Sequence, residues 1–320
     1  MDRVVSLIKR VTCLAGGIGA AKFLQGLVRI LPQENITIIV NTGDDIELHG
    51  LHISPDPDII MYTLAGIVNE EKGWGIQSDT FNCLNMFQKY GLETWFKLGD
   101  KDLATHIYRT QLLKNGFSLG EVTRKLCKSL GLKVNILPMT NGKIAPQILT
   151  NVGKMHFEEY LVRRGAKDKV LDVIFEGAES AHPTPGVIES IQDASGIIVC
   201  PSNPIVSIGP ILAVKKIREA LKETTAKVVA ISPIVGGGTI NGPADKLMRG
   251  LGLKASAYSV ASLYRDFLNV FILDEVDEVE KEKIERLGIK AIAANTIMRS
   301  LEDKVELARL ALDALDSTAY

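Results

Sequence analysis

Paired carboxylates directly behind an apolar run are the first residues here that could do chemistry. Ile36-Thr37-Ile38-Ile39-Val40 ends in Asn41-Thr42-Gly43-Asp44-Asp45. Two acids at that place suit a hard cation that takes oxygen ligands and bridges to phosphates. The plainer alternative is a turn with aspartate in its usual turn role. Ser54-Pro55-Asp56-Pro57-Asp58 then offers two more carboxylates. One of Asp56 and Asp58 is expected to cap the helix that begins near Ile59, leaving the other to complete the same acidic site. Further on, Lys97 to Thr110 concentrates ionisable groups, and helical spacing puts Asp102, His106 and Arg109 near one face. Such a set can grip an anion or a heteroaromatic ring, or be merely structural.

Three glycine-bearing loops each follow an apolar run and precede a helical pattern. The first is Ala15-Gly16-Gly17-Ile18-Gly19-Ala20-Ala21-Lys22. Glycines let backbone approach a phosphate, and a helix N-terminus attracts anions. The spacing is GxGxxK, with Lys22 where a dinucleotide fingerprint has Gly or Ala, and it is not a Walker A loop. A tight packing turn is the alternative. The second loop, Pro201-Ser202-Asn203-Pro204-Ile205-Val206-Ser207-Ile208-Gly209-Pro210, is stiffened by prolines and carries hydroxyls and an amide. The third contains Gly236-Gly237-Gly238. Three such loops in one chain suggest convergence on one phosphate-bearing ligand.

The elements that must position these residues read as an α/β fold. It is expected to be a Rossmann-like, mostly parallel sheet with helices on both faces and an inserted smaller α+β subdomain. Strands are expected at Val11–Leu14, Ile36–Val40, Val134–Pro138, Gly196–Cys200 and Lys227–Ile231, with Val270–Leu273 and its Asp274 as the last. Helices are expected at Phe23–Leu31, from Ile59 to Gly66, up to about Tyr90, and at Leu119–Leu130, Val187–Gln192 and Leu301–Leu315. The chain, 1–320, reads as one domain with its core at about 8–66 and 185–320. The insertion spans about 67–184, and within it Pro146 to Val173 reads as strands and loops.

Composition narrows the classes. Of 320 residues, 46% are hydrophobic and 23% charged, as in ordinary globular proteins, and a net charge of −1 argues against a nucleic-acid face. No apolar stretch is long enough for a membrane span, and residues 1–10 do not read as a secretory signal. A cytoplasmic location is therefore expected. Cys13, Cys83, Cys127 and Cys200 show no CxxC spacing, so neither a zinc site nor a disulfide framework is expected, and Cys13 and Cys200 read as buried thiols.

Taken in order, these motifs resemble the 2-phospho-L-lactate transferase family of deazaflavin coenzyme F(420) biosynthesis. The resemblance is carried by Gly16-Gly17-Ile18-Gly19, Asn41-Thr42-Gly43-Asp44-Asp45, Ser54-Pro55-Asp56-Pro57-Asp58, Leu98-Gly99-Asp100-Lys101-Asp102-Leu103-Ala104-Thr105-His106, Pro201-Ser202-Asn203-Pro204 and Ser232-Pro233-Ile234-Val235-Gly236. It implies transfer of a phospholactyl or phosphoenolpyruvyl group from a guanosine diphosphate conjugate to the ribityl hydroxyl of the deazaflavin Fo, with GMP leaving. Mg²⁺, a Rossmann-like core with an added domain and a homodimer are implied with it. The resemblance places Asp58 and Lys97 at the deazaflavin. Relatives often carry Arg at Lys97, and Lys keeps the charge but loses the planar fork. Thr140-Asn141 stands where relatives often have acidic residues.

On that reading Asp44, Asp45 and Asp58 are the catalytic and Mg²⁺-holding carboxylates, and one of them orients or deprotonates the acceptor hydroxyl. Gly16, Gly17, Gly19, Lys22, Ser202, Asn203 and Gly236 hold the nucleotide and diphosphate, while Lys97 and His106 stand near Fo with Asp58. Two rivals remain. One is a non-catalytic nucleotide-sugar-binding regulator of the related gluconeogenesis-factor type, which needs no acceptor site. The other is a nicotinamide dehydrogenase, which Lys22 and the proline-stiffened loop fit poorly.

Overall fold

The computed structural model describes residues 10–316, so the first nine residues, including the start of the expected core, lie outside it. Seven parallel strands form the central sheet. Their spatial order is Lys290–Ala294, Val270–Asp274, Lys227–Ile231, Gly196–Val199, Val11–Ala15, Ile36–Val40, Asn135–Pro138. The five inner strands are short, rich in β-branched residues and covered on both faces. Alternate residues therefore enter two different cores. Cys13, Ile38, Ile198, Val229 and Ile272 face one core, while Leu14, Ile39, Ile197, Val228 and Phe271 face the other.

The first core is roofed by the helices Gly17–Leu27, Pro55–Leu64, Leu119–Ser129 and Leu301–Asp316. The last presents Leu307, Ala308, Ala311, Leu312 and Leu315 as a buried stripe at helical spacing. Full burial of each leucine contributes roughly 2 kcal/mol. This helix crosses Gly17–Leu27 so closely that a Cβ on Gly26 would lie 2.2 Å from the Lys304 carbonyl oxygen.

Several expectations need correction. The first helix begins at Gly17, directly off the strand, and ends at Leu27. The second begins at Pro55, with Ser54 as its N-cap residue and proline in its first turn. Neither Asp56 nor Asp58 caps it, because both lie inside the first turn with their side chains engaged elsewhere. A further strand, Lys290–Ala294, follows Val270–Asp274 and forms the sheet edge. Its sequence, Lys-Ala-Ile-Ala-Ala, lacks the apolar run that marked the other strands. The range read as an insertion is also not continuous. Asn135–Pro138 lies inside it and pairs with Ile36–Val40 as the opposite edge of the main sheet. Beyond that strand, Ala145–Thr150 pairs antiparallel with Gly153–His156 and with Val170–Glu176.

Strand order reverses direction at the Val11–Ala15 and Gly196–Val199 pair, because the chain runs outward to opposite edges from there. Open α/β sheets bind ligands outside the carboxyl ends of strands at such a point. The Gly16–Gly19 and Pro201–Ser207 segments both leave the sheet here.

Candidate active site

A cavity of about 490 Å³ opens over this point, a size ordinary for a small-molecule site. Its floor is made by the two loops, which touch. The Gly16 N–H donates to Ser202 Oγ (3.2 Å), and a Cβ on Gly19 would lie 2.2 Å from the Pro201 carbonyl oxygen. Asn203 turns its side-chain oxygen onto the backbone N–H groups of Ile205 (3.0 Å) and Val206 (3.3 Å), which holds the second loop in shape. Gly16, Gly17, Gly19, Lys22, Ser202 and Asn203 all line the cavity.

The acids above this floor divide into two groups. Asp44, Asp56 and Glu158 form one, each about 5% exposed or less. Asp56 accepts from the Gly17 N–H (2.9 Å) and from Asn41 Nδ2 (2.9 Å). Burial, opposed by those bonds, raises the Asp56 carboxyl to about 6. Burial and the neighbouring Asp56 push Glu158 up to about 8. Burial, then Asp56, Glu158 and Asp45, hold Asp44 well above the ordinary carboxylate range. Asp44 Oδ1 and Thr42 Oγ1 are buried with no hydrogen-bond partner among the described residues. Desolvated oxygen donors with an orphaned lone pair on Asp44 are the chemistry a hard cation takes, although Asp44, Asp56 and Glu158 do not converge as tightly as Asp58, Asp102 and His106. The residues present therefore suit Mg²⁺.

The second group is a buried network. Asp58 is bound in two places by the Arg109 guanidinium, Nη1 to Oδ2 at 3.0 Å and Nη2 to Oδ1. His106 Nδ1 lies 3.1 Å from Arg109 Nη1, and its Nε2 lies 3.3 Å from Asp102 Oδ1. The Tyr62 hydroxyl donates to Asp102 (2.7 Å). Burial alone would lower the pKa of Arg109, yet Asp58 raises it. Asp58, Asp102 and His106 are compact enough to hold a metal. However, a guanidinium already supplies positive charge there and both carboxylates are engaged, while His106 Nε2 and Arg109 Nε are buried with no hydrogen-bond partner among the described residues. The expected Asp102, His106 and Arg109 helix face exists, on Asp100–Lys114, but it is turned inward.

Lys97 is exposed at the cavity rim, beside Phe96. Two aspartates fix this segment. Asp79 accepts from the Lys101 and Asp102 N–H groups (2.8 and 3.1 Å). Asp100 accepts from the Thr80 hydroxyl and the Cys83 and Asn82 amides, which holds its carboxyl down to about 2. Ile53, Trp74 and Phe96 make an apolar wall on this side.

Of the expected site residues, the structure brings together Gly16, Gly17, Gly19, Lys22, Asp44, Asp58, Lys97, His106, Ser202 and Asn203. Asp45 and Gly236 are not on the cavity lining. Asp45 Oδ2 accepts from Ser54 Oγ (2.8 Å) and contacts His52 Nε2 (2.9 Å). The Gly236 N–H donates to Asp277 (2.9 Å). Asp58 lines the cavity and is ion-paired with Arg109, while Asp56 lines it beside the glycine loop. Glu158 was missed entirely. It follows the Gly153–His156 strand, in a stretch whose alternation resembles any exposed hairpin, and only the tertiary fold brings it onto the cavity lining with Asp44.

The family model described as 2-phospho-L-lactate transferase CofD matches residues 11–305. A 2-phospho-L-lactate transferase of Methanosarcina mazei is 41% identical over 300 residues, covering 94% of this chain and 98% of that one. A phosphoenolpyruvate transferase of Kitasatospora aureofaciens is 43% identical over 310 residues, covering 95% and 97%. Among solved structures, a UPF0052-family protein from Bacillus halodurans shares the fold, with a TM-score of 0.64 at 17% identity, covering 95% of this chain and 99% of that one.

Proposed function

Because this chain belongs to the 2-phospho-L-lactate transferase CofD family, we propose that it moves a three-carbon acid phosphate, phospholactyl or phosphoenolpyruvyl, from its guanosine diphosphate conjugate to Fo. GMP leaves, and the product is the F(420)-0 skeleton. The observation that carries this reading is one cavity that joins glycine loops, a desolvated acid group and an apolar wall with a cationic rim. Similar identity to relatives named for each acid leaves both donors in play.

Each part has a task. The Gly16–Gly19 and Ser202-Asn203 loops hold the diphosphate, with Lys22 offsetting its charge. Asp44 and Asp56 would hold Mg²⁺, and a cation bound there would supply charge neutralisation for the substrate phosphates. Phosphoryl transfer depends on positioning and charge balance more than on covalent help from the protein. Trp74, Phe96 and Ile53 pack the flat tricyclic ring, and Lys97 meets its polar edge. Asp58, held by Arg109, presents a fixed carboxylate to the acceptor, and His106 supports it from beneath. A cytoplasmic homodimer is part of the proposal.

The test is direct. Protein, Mg²⁺, the guanosine conjugate of either acid and Fo should give an acid-phosphate ester of Fo with equimolar GMP, and EDTA should abolish it. Tight Fo binding without turnover would refute the reading in favour of a carrier. Binding of UDP-sugars without Fo would favour the regulator.

A further inference from the structure

We infer that Lys72 is a positioning residue: its ammonium holds the Trp74 indole as the platform on which the flat ring of the acceptor stacks. The inference rests on the transferase reading above.

Trp74 sits near the tip of a small hairpin. Val68 and Ile76 bridge antiparallel. The Asn69 N–H donates to the Gly75 carbonyl (2.9 Å), and the Gly73 N–H donates to the Asn69 carbonyl (2.8 Å). Gly73 and Gly75 both take left-handed φ, +73° and +72°, so the chain turns sharply on either side of the indole. Trp74 is 38% exposed and lines the cavity. An indole placed so offers a π-face to a flat ligand.

A smaller recess of about 20 Å³ adjoins it. Trp74 lines both spaces, whereas Lys72 and Phe81 line only the recess. Lys72 Nζ lies over the Trp74 ring, 5.5 Å from its centroid, and over the Phe81 ring at 5.0 Å. Glu70 and Glu71 precede it, yet among the described residues no carboxylate pairs with its ammonium. Phe81 is the N-cap residue of the helix Asn82–Lys89. One cation between two rings therefore ties the indole to a helix end. A ring flanked by glycines and ordered only on binding weakens affinity, and one already held by a cation does not.

The hairpin belongs to the acceptor side. Asp79, at its end, accepts from the Lys101 and Asp102 N–H groups, and Lys101 Nζ donates to the Gln77 carbonyl (3.0 Å). A Cβ on Gly99 would lie 2.1 Å from Asp79 Oδ2, so the two segments pack with no room for a side chain between them. Trp74 is thus fixed to the segment that carries Phe96 and Lys97. A Cβ on Gly73 would also lie 3.5 Å from Ile18 in the first glycine loop, which makes the donor's guanine the rival occupant.

Full-length wild type, W74A, K72M, K72R and the double variant W74A/K72M test this. Fo and GDP affinities come from calorimetry, and KM and kcat from turnover with the guanosine conjugate. K72M keeps the aliphatic stem without the charge, and K72R keeps the charge. W74A should bind Fo about tenfold more weakly or worse. K72M should lose about two- to fivefold, seen as a higher KM for Fo with kcat at saturating Fo unchanged. K72R should match wild type, and GDP affinity should hold in every variant. In the W74A background K72M should add nothing, because the lysine acts through the ring. Equal losses in K72M and K72R, no loss in K72M, or an additive double variant overturns the positioning role. Full Fo affinity in W74A removes the platform, and a loss of GDP affinity that matches the loss for Fo gives the indole to the guanine; either overturns the inference. In all these cases an active wild type keeps the transferase reading. A wild type that neither binds Fo nor makes an ester overturns both.

Discussion

Replacing Glu158 by Gln should make the metal-free protein more stable at pH 8 and leave it nearly unchanged at pH 5. Burial, together with Asp56, raises the folded carboxyl from its ordinary 4.5 to about 8. The folded chain thus keeps a proton that the unfolded chain releases. Stability is unaffected below about pH 4.5, where both states are protonated, and is lost progressively as pH climbs towards 8. A span of about 3.5 pH units at about 1.4 kcal/mol each sets a ceiling near 5 kcal/mol. Asp44 and Asp56 share the strain, so about 2–4 kcal/mol is expected from this one site. For a chain of this length that raises the melting temperature by about 4–8 °C. Calorimetric melts of wild type and E158Q in EDTA at pH 5 and pH 8 measure it. Equal melting temperatures at pH 8, or a rise of the same size at both pH values, would refute the argument that these three carboxyls crowd one another.

Other substitutions probe the remaining parts. Arg109→Met leaves Asp58 buried and unpaired and should cost about 3–5 kcal/mol in denaturant unfolding, much of it recovered in the double variant with Asp58→Asn; an additive double variant would show that the pair is not coupled. Gly19→Ala puts a Cβ against the Pro201 carbonyl, so about 1–3 kcal/mol of stability and about tenfold in GDP affinity should go together, and calorimetry that finds neither change would remove the close approach of the two loops. Lys97→Ala should weaken Fo binding about tenfold, measured by fluorescence, and leave GDP affinity alone, the equivalent of about 1.4 kcal/mol; a matching loss for GDP would place Lys97 on the donor.

Legibility in the sequence tracked how local each feature is. The five inner strands announce themselves because a strand buried on both faces must be apolar throughout, as Ile36–Val40 and Lys227–Ile231 are. The edge strand Lys290–Ala294 escapes that rule, since its partner covers only one side. The glycine loops were legible because close backbone approach leaves a residue signature, and Gly19 against Pro201 shows the reason. The acids were legible as a group but not in their roles. Asp56 and Asp58 are two residues apart on one helical turn, so they point in different directions. One turns to Gly17 and Asn41, the other to Arg109 on a distant helix. Nothing local says which carboxylate a guanidinium will reach across the fold.

The same placement of Asp56 separates a catalyst from a passive nucleotide pocket. A site built only to retain phosphate leaves the first amides of its helix free for the anion. Here the Gly17 N–H is already spent on a carboxylate, and Asp44 and Glu158 stand close by. On the proposed function, a diphosphate would reach this floor together with a divalent cation, which suits a reaction whose barrier is charge on a phosphoryl group. The Arg109–Asp58 pair adds the second half of the reasoning. On the proposed function, a carboxylate held rigid beside the apolar wall would steady the acceptor in line with the phosphorus.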